Sequence, residues 1–327
     1  MPDTNHFWLR LALLIAPFAV VDGANAACAP TSPVNNTTVT CTGATANQNG
    51  TDGYGTNTDI GNIYNILAGA SVTGADSGLR FNTLGTVNNF GTITGAGVGE
   101  SGVSGVNVGT VNNSGAISAT GALSTGITFF STGLVANSGS ISGVRIGIFL
   151  QNGEVTNTST GTIAGGDDGV KIADVAKVSN AGTISGGIRG INIGPANTSS
   201  NVEISNSGTI TGALNGIESL RRVDLTNSGS ISGTTGTGIV GASADITNTS
   251  TGTITGGLDA IQATTAASRQ YFGRRGHRHQ RRHCGGSEYH IRRDFWRLRG
   301  RRGYNRRQRQ QRRLDRGWEH RHLRHDR

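Results

Sequence analysis

One phrase returns eight times along this chain: VNNFGTITG, VNNSGAISA, VANSGSISG, VTNTSTGTIAG, VSNAGTISG, ISNSGTITG, LTNSGSISG and ITNTSTGTITG. Its central isoleucines, Ile93, Ile117, Ile141, Ile163, Ile184, Ile210, Ile231 and Ile254, recur every 21 to 26 residues, a period of stacked units and not of separate domains. Within each unit apolar and polar residues alternate, which is the period of a strand and not of a helix. Three short strands are read per unit. The first ends on asparagine, as in Val223-Asp224-Leu225-Thr226-Asn227; the second is Gly-x-Ile-x-Gly; the third is a looser Gly-apolar-x-apolar, as in Gly190-Ile191-Asn192-Ile193.

Such a unit has no second layer against which to bury its few apolar side chains. Stacked copies have one. Each coil laid on the last places equivalent residues about 4.8 Å apart, so inward Ile and Val form ladders while backbones pair from coil to coil. The predicted fold is therefore all-β: a parallel β-solenoid, specifically a right-handed β-helix with three short strands per coil. The asparagine closing the first strand shares the parity of the inward residues, and its amide is expected to pair with backbone and with the next coil's asparagine. Outward positions beside the isoleucines are mostly Thr and Ser, which suit a pleated solvent face.

The chain divides into four parts on this reading. Residues 1–26 read as a secretory signal: Arg10, the apolar run LALLIAPFAVV, then the small-residue site Ala24-Asn25-Ala26. That run is well short of the roughly 20 residues needed to span a bilayer as a helix. Residues 27–61 are the N-terminal cap, 62–268 the repeats, beginning with a degenerate coil at NIYNILAGASVTGADSGLRF, and 269–327 a tail. An exported chain meets an oxidising compartment, where Cys28 and Cys41, bracketing APTSPVNNTTVT, are placed to close a disulfide loop. A rival role for Cys28 as a lipid-bearing first residue favours Leu where this chain has Asn25.

Charge changes abruptly at Ser268. Residues 1–268 carry eight Lys and Arg against fifteen Asp and Glu, net −7, whereas residues 269–327 carry twenty-one against five, net +16. The overall +9 thus belongs to the tail and does not mark the body as a nucleic-acid binder. Three readings compete for the tail. A basic arm interleaved with Tyr289, Phe295, Trp296, Tyr304 and Trp318 would hold phosphate backbones. His277, His279, His283 and Cys284 suggest a metal site, though neighbouring cations oppose it and no second cysteine is near. The third reading is repeat DNA translated one base out of frame, which turns Gly, Ala and Val codons into Arg or Gly, and Asn into Gln or Glu. That reading predicts a tail without Lys, Met, Thr, Ala, Val or Pro, and none of the six occurs there. It is the one adopted, with a disordered tail, no nucleic-acid partner, no metal and no cofactor expected.

Solenoids of this kind also carry polysaccharide-cleaving sites, so acids in register matter. Three residues before the turn asparagine stand Glu154, Lys177, Glu203, Asp224 and Asp245 in consecutive coils, all on outward parity. Glu203, Asp224 and Asp245 form a column of like charge, repelling by about 1 kcal/mol per neighbour at water's dielectric. A column of this type fits a hard cation such as calcium, a carboxylate pair for glycoside chemistry, or a solvated stripe that maintains solubility. The stripe is preferred, because no His, Arg or Tyr recurs beside it to complete a catalytic set. GGDDGVKI at Gly165 occurs once, and its Asp167 and Asp168 face opposite sides of a strand. GAGVGE lacks the flanking elements of a nucleotide fold. Arg221-Arg222 reads as a turn, and the only histidine before the tail is His6.

A signal segment, an early cysteine pair and tandem V-x-N-x-G-x-I-x-G coils together resemble the passenger domains of Gram-negative autotransporters, the type V secretion proteins. The resemblance covers residues 1–268. It implies a cell-surface or secreted β-helix, commonly adhesive, followed by an outer-membrane β-barrel. The sequence departs from that pattern after Ser268, where no run of amphipathic strands of about 9 to 11 residues follows. The expected function is non-enzymatic: a surface-exposed passenger with an adhesive or stalk role toward a host or cell-surface glycan or protein, located at the cell surface or outer membrane or secreted, and periplasmic if truncated at this point. The alternative is a β-helical enzyme that degrades polysaccharide.

Overall fold

The structure, a computed structural model, describes residues 27–195, 202–270 and 289–292. Residues 1–26, read above as a secretory signal, and most of the tail, including His277, His279, His283 and Cys284, lie outside the described residues. The body is an all-β parallel solenoid of stacked coils whose strands fall into two main sheets. One sheet has ten strands, one from each coil, running from Ala44–Ala46 at one edge to Thr253–Gly256 at the other. The second sheet holds the remaining strands of the stack.

The ten-stranded sheet is built from the Gly-x-Ile-x-Gly strands, and its register is uninterrupted. Ile93 pairs with Ile117, Ile117 with Ile141, and so on through Ile163, Ile184, Ile210, Ile231 and Ile254. The first seven are buried to within 1% of full coverage, while Ile254, on the last strand of that sheet, is only partly buried. Val72 and Thr45 continue the same column toward the N-terminus. Each fully buried isoleucine contributes roughly 1.5–3 kcal/mol, conditional on its neighbours above and below being in place.

In the second sheet the number of strands is not the same in every coil. Some coils contribute two separate strands, such as Asp168–Ile172 and Ala176–Asn180, whereas others run through as one strand, as in Thr125–Asn137, Ile146–Asn157 and Asn215–Asn227. The third strand of one sequence unit is then continuous with the first strand of the next. Register irregularities at Phe129/Thr132 and Ser219/Arg222 mark where the long strands turn the corner.

The stacking register reaches into residues 27–61. Thr38–Cys41 lies parallel to Ile63–Ile66, and Ala44–Ala46 parallel to Ser71–Gly74, so a coil is already in place there. Cys28–Ala29 crosses its edge antiparallel to Thr38–Cys41, and a disulfide joins the register partners Cys28 and Cys41, both buried. This short reversed strand covers backbone groups that an open first coil would expose to another sheet edge. At the other end the strand Asp259–Gln270 stays in register with Ile239–Asn248, extending two residues past the composition break at Ser268.

The core carries one feature outside the repeat. Tyr54, Tyr64, Phe81 and Phe129 stack through the first coils with ring centroids 5.7–6.0 Å apart. Space for these rings comes from glycine: a Cβ on Gly109 would lie 2.8 Å from Phe81 Cζ, and one on Gly85 2.6 Å from Phe81 Cδ2.

Candidate functional site

Two kinds of side-chain array run along the stack, one internal and one external. The internal one is an asparagine ladder. The Nδ2 of Asn89 donates to Oδ1 of Asn113 at 2.7 Å, and the pattern repeats through Asn137, Asn157, Asn180, Asn206, Asn227 and Asn248 at 2.7–2.8 Å. Each of these amides from Asn113 to Asn227 also donates to a carbonyl of its own turn and to one of the next coil, as Asn180 does to Gly182 and Thr209. The side chains are buried, so the ladder replaces water for a row of polar groups that would otherwise carry a full desolvation cost. It starts abruptly. The register partner of Asn89 in the preceding coil is Ile66, which offers no donor, and Asn89 Oδ1 is left buried and unpartnered.

The external array is the charged column. Glu154, Lys177, Glu203, Asp224 and Asp245 are successive register partners on the outer face of the second sheet. All of them but Glu154 line a groove of roughly 470 Å³ together with the hydroxyl residues Ser179, Ser205, Thr226 and Thr247. The column is not bare. Lys177 Nζ lies 3.3 Å from Glu154 Oε1, and Arg222 bridges two acids, with Nε 2.9 Å from Asp224 Oδ1 and Nη2 3.9 Å from Asp245 Oδ2. Glu203 makes no hydrogen bond or ion pair among the described residues. These pairs are solvent-exposed and worth at most about 1 kcal/mol each.

Arg222 corrects the sequence reading of this region. Arg221 and Arg222 sit inside the strand Asn215–Asn227 and not in a turn. Alternation runs unbroken through this strand from Ile217 to Asn227, so Arg222 shares the outward parity of Asp224 beside the acids while Arg221 shares the inward parity of Val223 and is buried. Arg221 reaches two coils back, donating from Nη1 to the backbone carbonyl of Asp174 at 2.8 Å and to its carboxylate at 3.0 Å. The arginine partner of the column was invisible to a search for recurring residues because it occurs in one coil only.

A second charged cluster stands on neighbouring coils. Asp168, nearly fully buried, accepts from Arg189 Nε at 2.6 Å and from Asn192 at 2.9 Å; Arg189 also meets Glu218 at 3.4 Å, and Asn215 donates to Glu218 at 2.7 Å. Burial alone would lower the proton affinity of Arg189, but the two carboxylates outweigh it and hold its pKa above the ordinary value. Asp167 turns away and pairs with Arg145 at 3.2 Å. Near the N-terminus Arg80 joins Asp52 and Glu100, and burial pushes the Asp52 carboxyl up despite that guanidinium. Every arginine in these clusters is committed to carboxylates, an arrangement that fastens coil to coil.

Among the described residues no group of three or more His, Cys, Asp or Glu side chains is placed to hold a metal ion. Glu203, Asp224 and Asp245 follow one another along the stack and do not converge on one point. No helix among the described residues is long and apolar enough to cross a membrane. Comparison with protein-family models, with curated proteins and with solved structures finds no match.

Proposed function

We propose that the chain is a non-enzymatic surface passenger of the autotransporter kind, a right-handed β-helix of three-stranded coils that presents its outer faces to a glycan or protein as an adhesive or stalk. The observation that supports it is the continuity of the two internal ladders, isoleucine in one sheet and asparagine in the other, through the repeats. Such a stack holds its outward side chains at fixed repeat distances, and many weak contacts along it sum to avidity. Right-handedness is the sense expected of parallel crossovers between twisted strands. The disulfide Cys28–Cys41 suits export to an oxidising compartment. The basic tail, on this proposal, is an out-of-frame continuation of the repeat, with the outer-membrane barrel lying beyond it in the original frame.

The competing proposal, cleavage of polysaccharide, needs two carboxyl groups facing each other across the scissile bond. Asp224 and Asp245 are instead bridged by Arg222, which supports the non-enzymatic reading. The test is the triple variant Glu203→Gln, Asp224→Asn, Asp245→Asn. Adhesion of cells displaying the protein should persist, and no acidic or neutral polysaccharide should be shortened by either form. Polysaccharide cleavage by the parent chain that the variant lacks would refute the proposal. Resequencing across the Ser268 codon addresses the tail: coils resuming in another frame support it, and a basic reading in the true frame refutes it.

A further inference from the structure

We infer that the outer face of the ten-stranded sheet is an ice-binding surface, a template for ordered water. Each strand presents two outward residues flanking its buried centre, and in order these are Ala44/Ala46, Ser71/Thr73, Thr92/Thr94, Ala116/Ser118, Ser140/Ser142, Thr162/Ala164, Thr183/Ser185, Thr209/Thr211, Ser230/Ser232 and Thr253/Thr255. Sixteen of these twenty positions carry a hydroxyl, and none carries a charge or an aromatic ring. The exclusion of charge is specific to this sheet, since the ion pairs of Lys177, Arg189 and Arg222 all lie on the other.

Three further observations point to a crystalline partner. First, the hydroxyls are unspent: among the described residues, Thr94 with Ser118 is the only pair of these sixteen that uses its hydroxyls within the protein, at 3.1 Å. Second, the lattice is regular. All nine strand pairings of this sheet are in register without a bulge, whereas the second sheet is interrupted twice. Loops absorb the variation in repeat length and the sheet does not. Third, the face repeats in two dimensions, about 4.8 Å from coil to coil and about 6.6 Å between the two columns on each strand. The first distance lies close to the shorter oxygen repeat of the prism face of hexagonal ice, and the second falls about a tenth short of the longer one.

The chemistry fits that partner. A hydroxyl holds a water at a defined point, and the threonine methyl beside it fills the gap between neighbouring waters without dragging in a hydration shell of its own. Charged groups would impose radial shells that conflict with a planar lattice. A crystalline polysaccharide would want aromatic platforms on which sugar rings stack, and this face has none. The inference goes beyond the surface-presenting reading, since its partner is neither glycan nor protein, and it depends only on the stacked sheet. Loss of cell adhesion with ice activity intact would remove that reading and leave this one.

The experiment is nanolitre osmometry on the full chain, recording crystal shape and the gap between melting and freezing points. Faceted crystals and a thermal hysteresis gap are expected. Both should vanish in Thr209→Lys with Thr211→Lys, and in the independent pair Thr92→Lys with Thr94→Lys. Both should persist in the control Ser205→Lys with Thr226→Lys on the second sheet, all variants keeping the parent's circular dichroism and melting point. Round crystals with no gap for the parent chain overturn the inference, as does equal loss in the control. Binding to crystalline chitin, or self-association in sedimentation, that the Thr209/Thr211 pair abolishes while ice is unaffected also overturns it and assigns the face to that partner.

Discussion

The buried asparagines are the residues whose loss is most informative. Asn180 accepts from Asn157, donates to Asn206 and to two carbonyls, and is almost fully buried. Replacing it with Ala strands the buried Oδ1 of Asn206, removes the donations to the Gly182 and Thr209 carbonyls and takes one of three acceptors from Asn157, so Asn180→Ala should cost on the order of 3 kcal/mol. Asn112 makes a similar amide contact, to Asn88 at 2.9 Å, but in solvent; Asn112→Ala should cost less than about 1 kcal/mol by the same chemical denaturation. Equal costs would show that the ladder is incidental. Tyrosine gives a second residue-scale prediction. Burial raises the pKa of Tyr54 and of Tyr64 well above the ordinary phenol value, Asn62 opposing it only in part at Tyr64. The folded state therefore keeps its protons where the unfolded state releases them. This stabilisation is complete below about pH 10 and falls as pH rises beyond it toward the folded-state values. Tyr64→Phe should blunt the loss of thermal stability measured between neutral and strongly alkaline pH, and an unchanged slope would contradict it.

At the scale of the strand, the alternation around Gly-x-Ile-x-Gly was legible in the sequence because eight copies put the same residue at the same place. The structure pairs those isoleucines one to one. The asparagine parity was legible for the same reason. What recurrence hides is anything that occurs once. In the Tyr54, Tyr64, Phe81, Phe129 stack only Phe81 and Phe129 share a register column, with Gly105 between them, while Tyr54 and Tyr64 stand in other columns, so an alignment of the repeats does not display it. Arg222 was missed because it occurs in one coil only and was read as part of a turn, and the Asp168–Arg189–Glu218 cluster because it depends on contacts between coils. The division of coils into strands was also hidden, since a corner that is continuous in Thr125–Asn137 is broken between Asp168–Ile172 and Ala176–Asn180. Element-scale packing makes its own prediction. Gly109→Ala should destabilise by about 1–3 kcal/mol because its Cβ intrudes on both Phe81 and Phe129. Phe129→Leu in the same chain should recover part of that loss in a double-mutant cycle, and strictly additive costs would contradict the contact.

For the molecule as a whole, stability is a sum of coil-to-coil interfaces, so damage should spread from its point of origin to neighbouring coils before the rest unfolds. A charge in the ladder, Ile184→Asp, should therefore expose the strands Thr162–Gly165 and Thr209–Gly212 to amide exchange while the first coils, held by the Cys28–Cys41 disulfide and the aromatic stack, stay protected. Uniform loss of protection would mean a single cooperative unit. All of this, including the surface lattice, depends on residues far apart in sequence being separated by a fixed number of coils. Spin labels at Ser142→Cys and Ser232→Cys measure that directly, because four register steps through Ala164, Ser185 and Thr211 join the two positions. Pulsed dipolar spectroscopy should return a narrow distribution centred at about 19 Å between backbones, four spacings of about 4.8 Å. A broad distribution, or a narrow one displaced by a whole coil spacing or more, would contradict the stacked register.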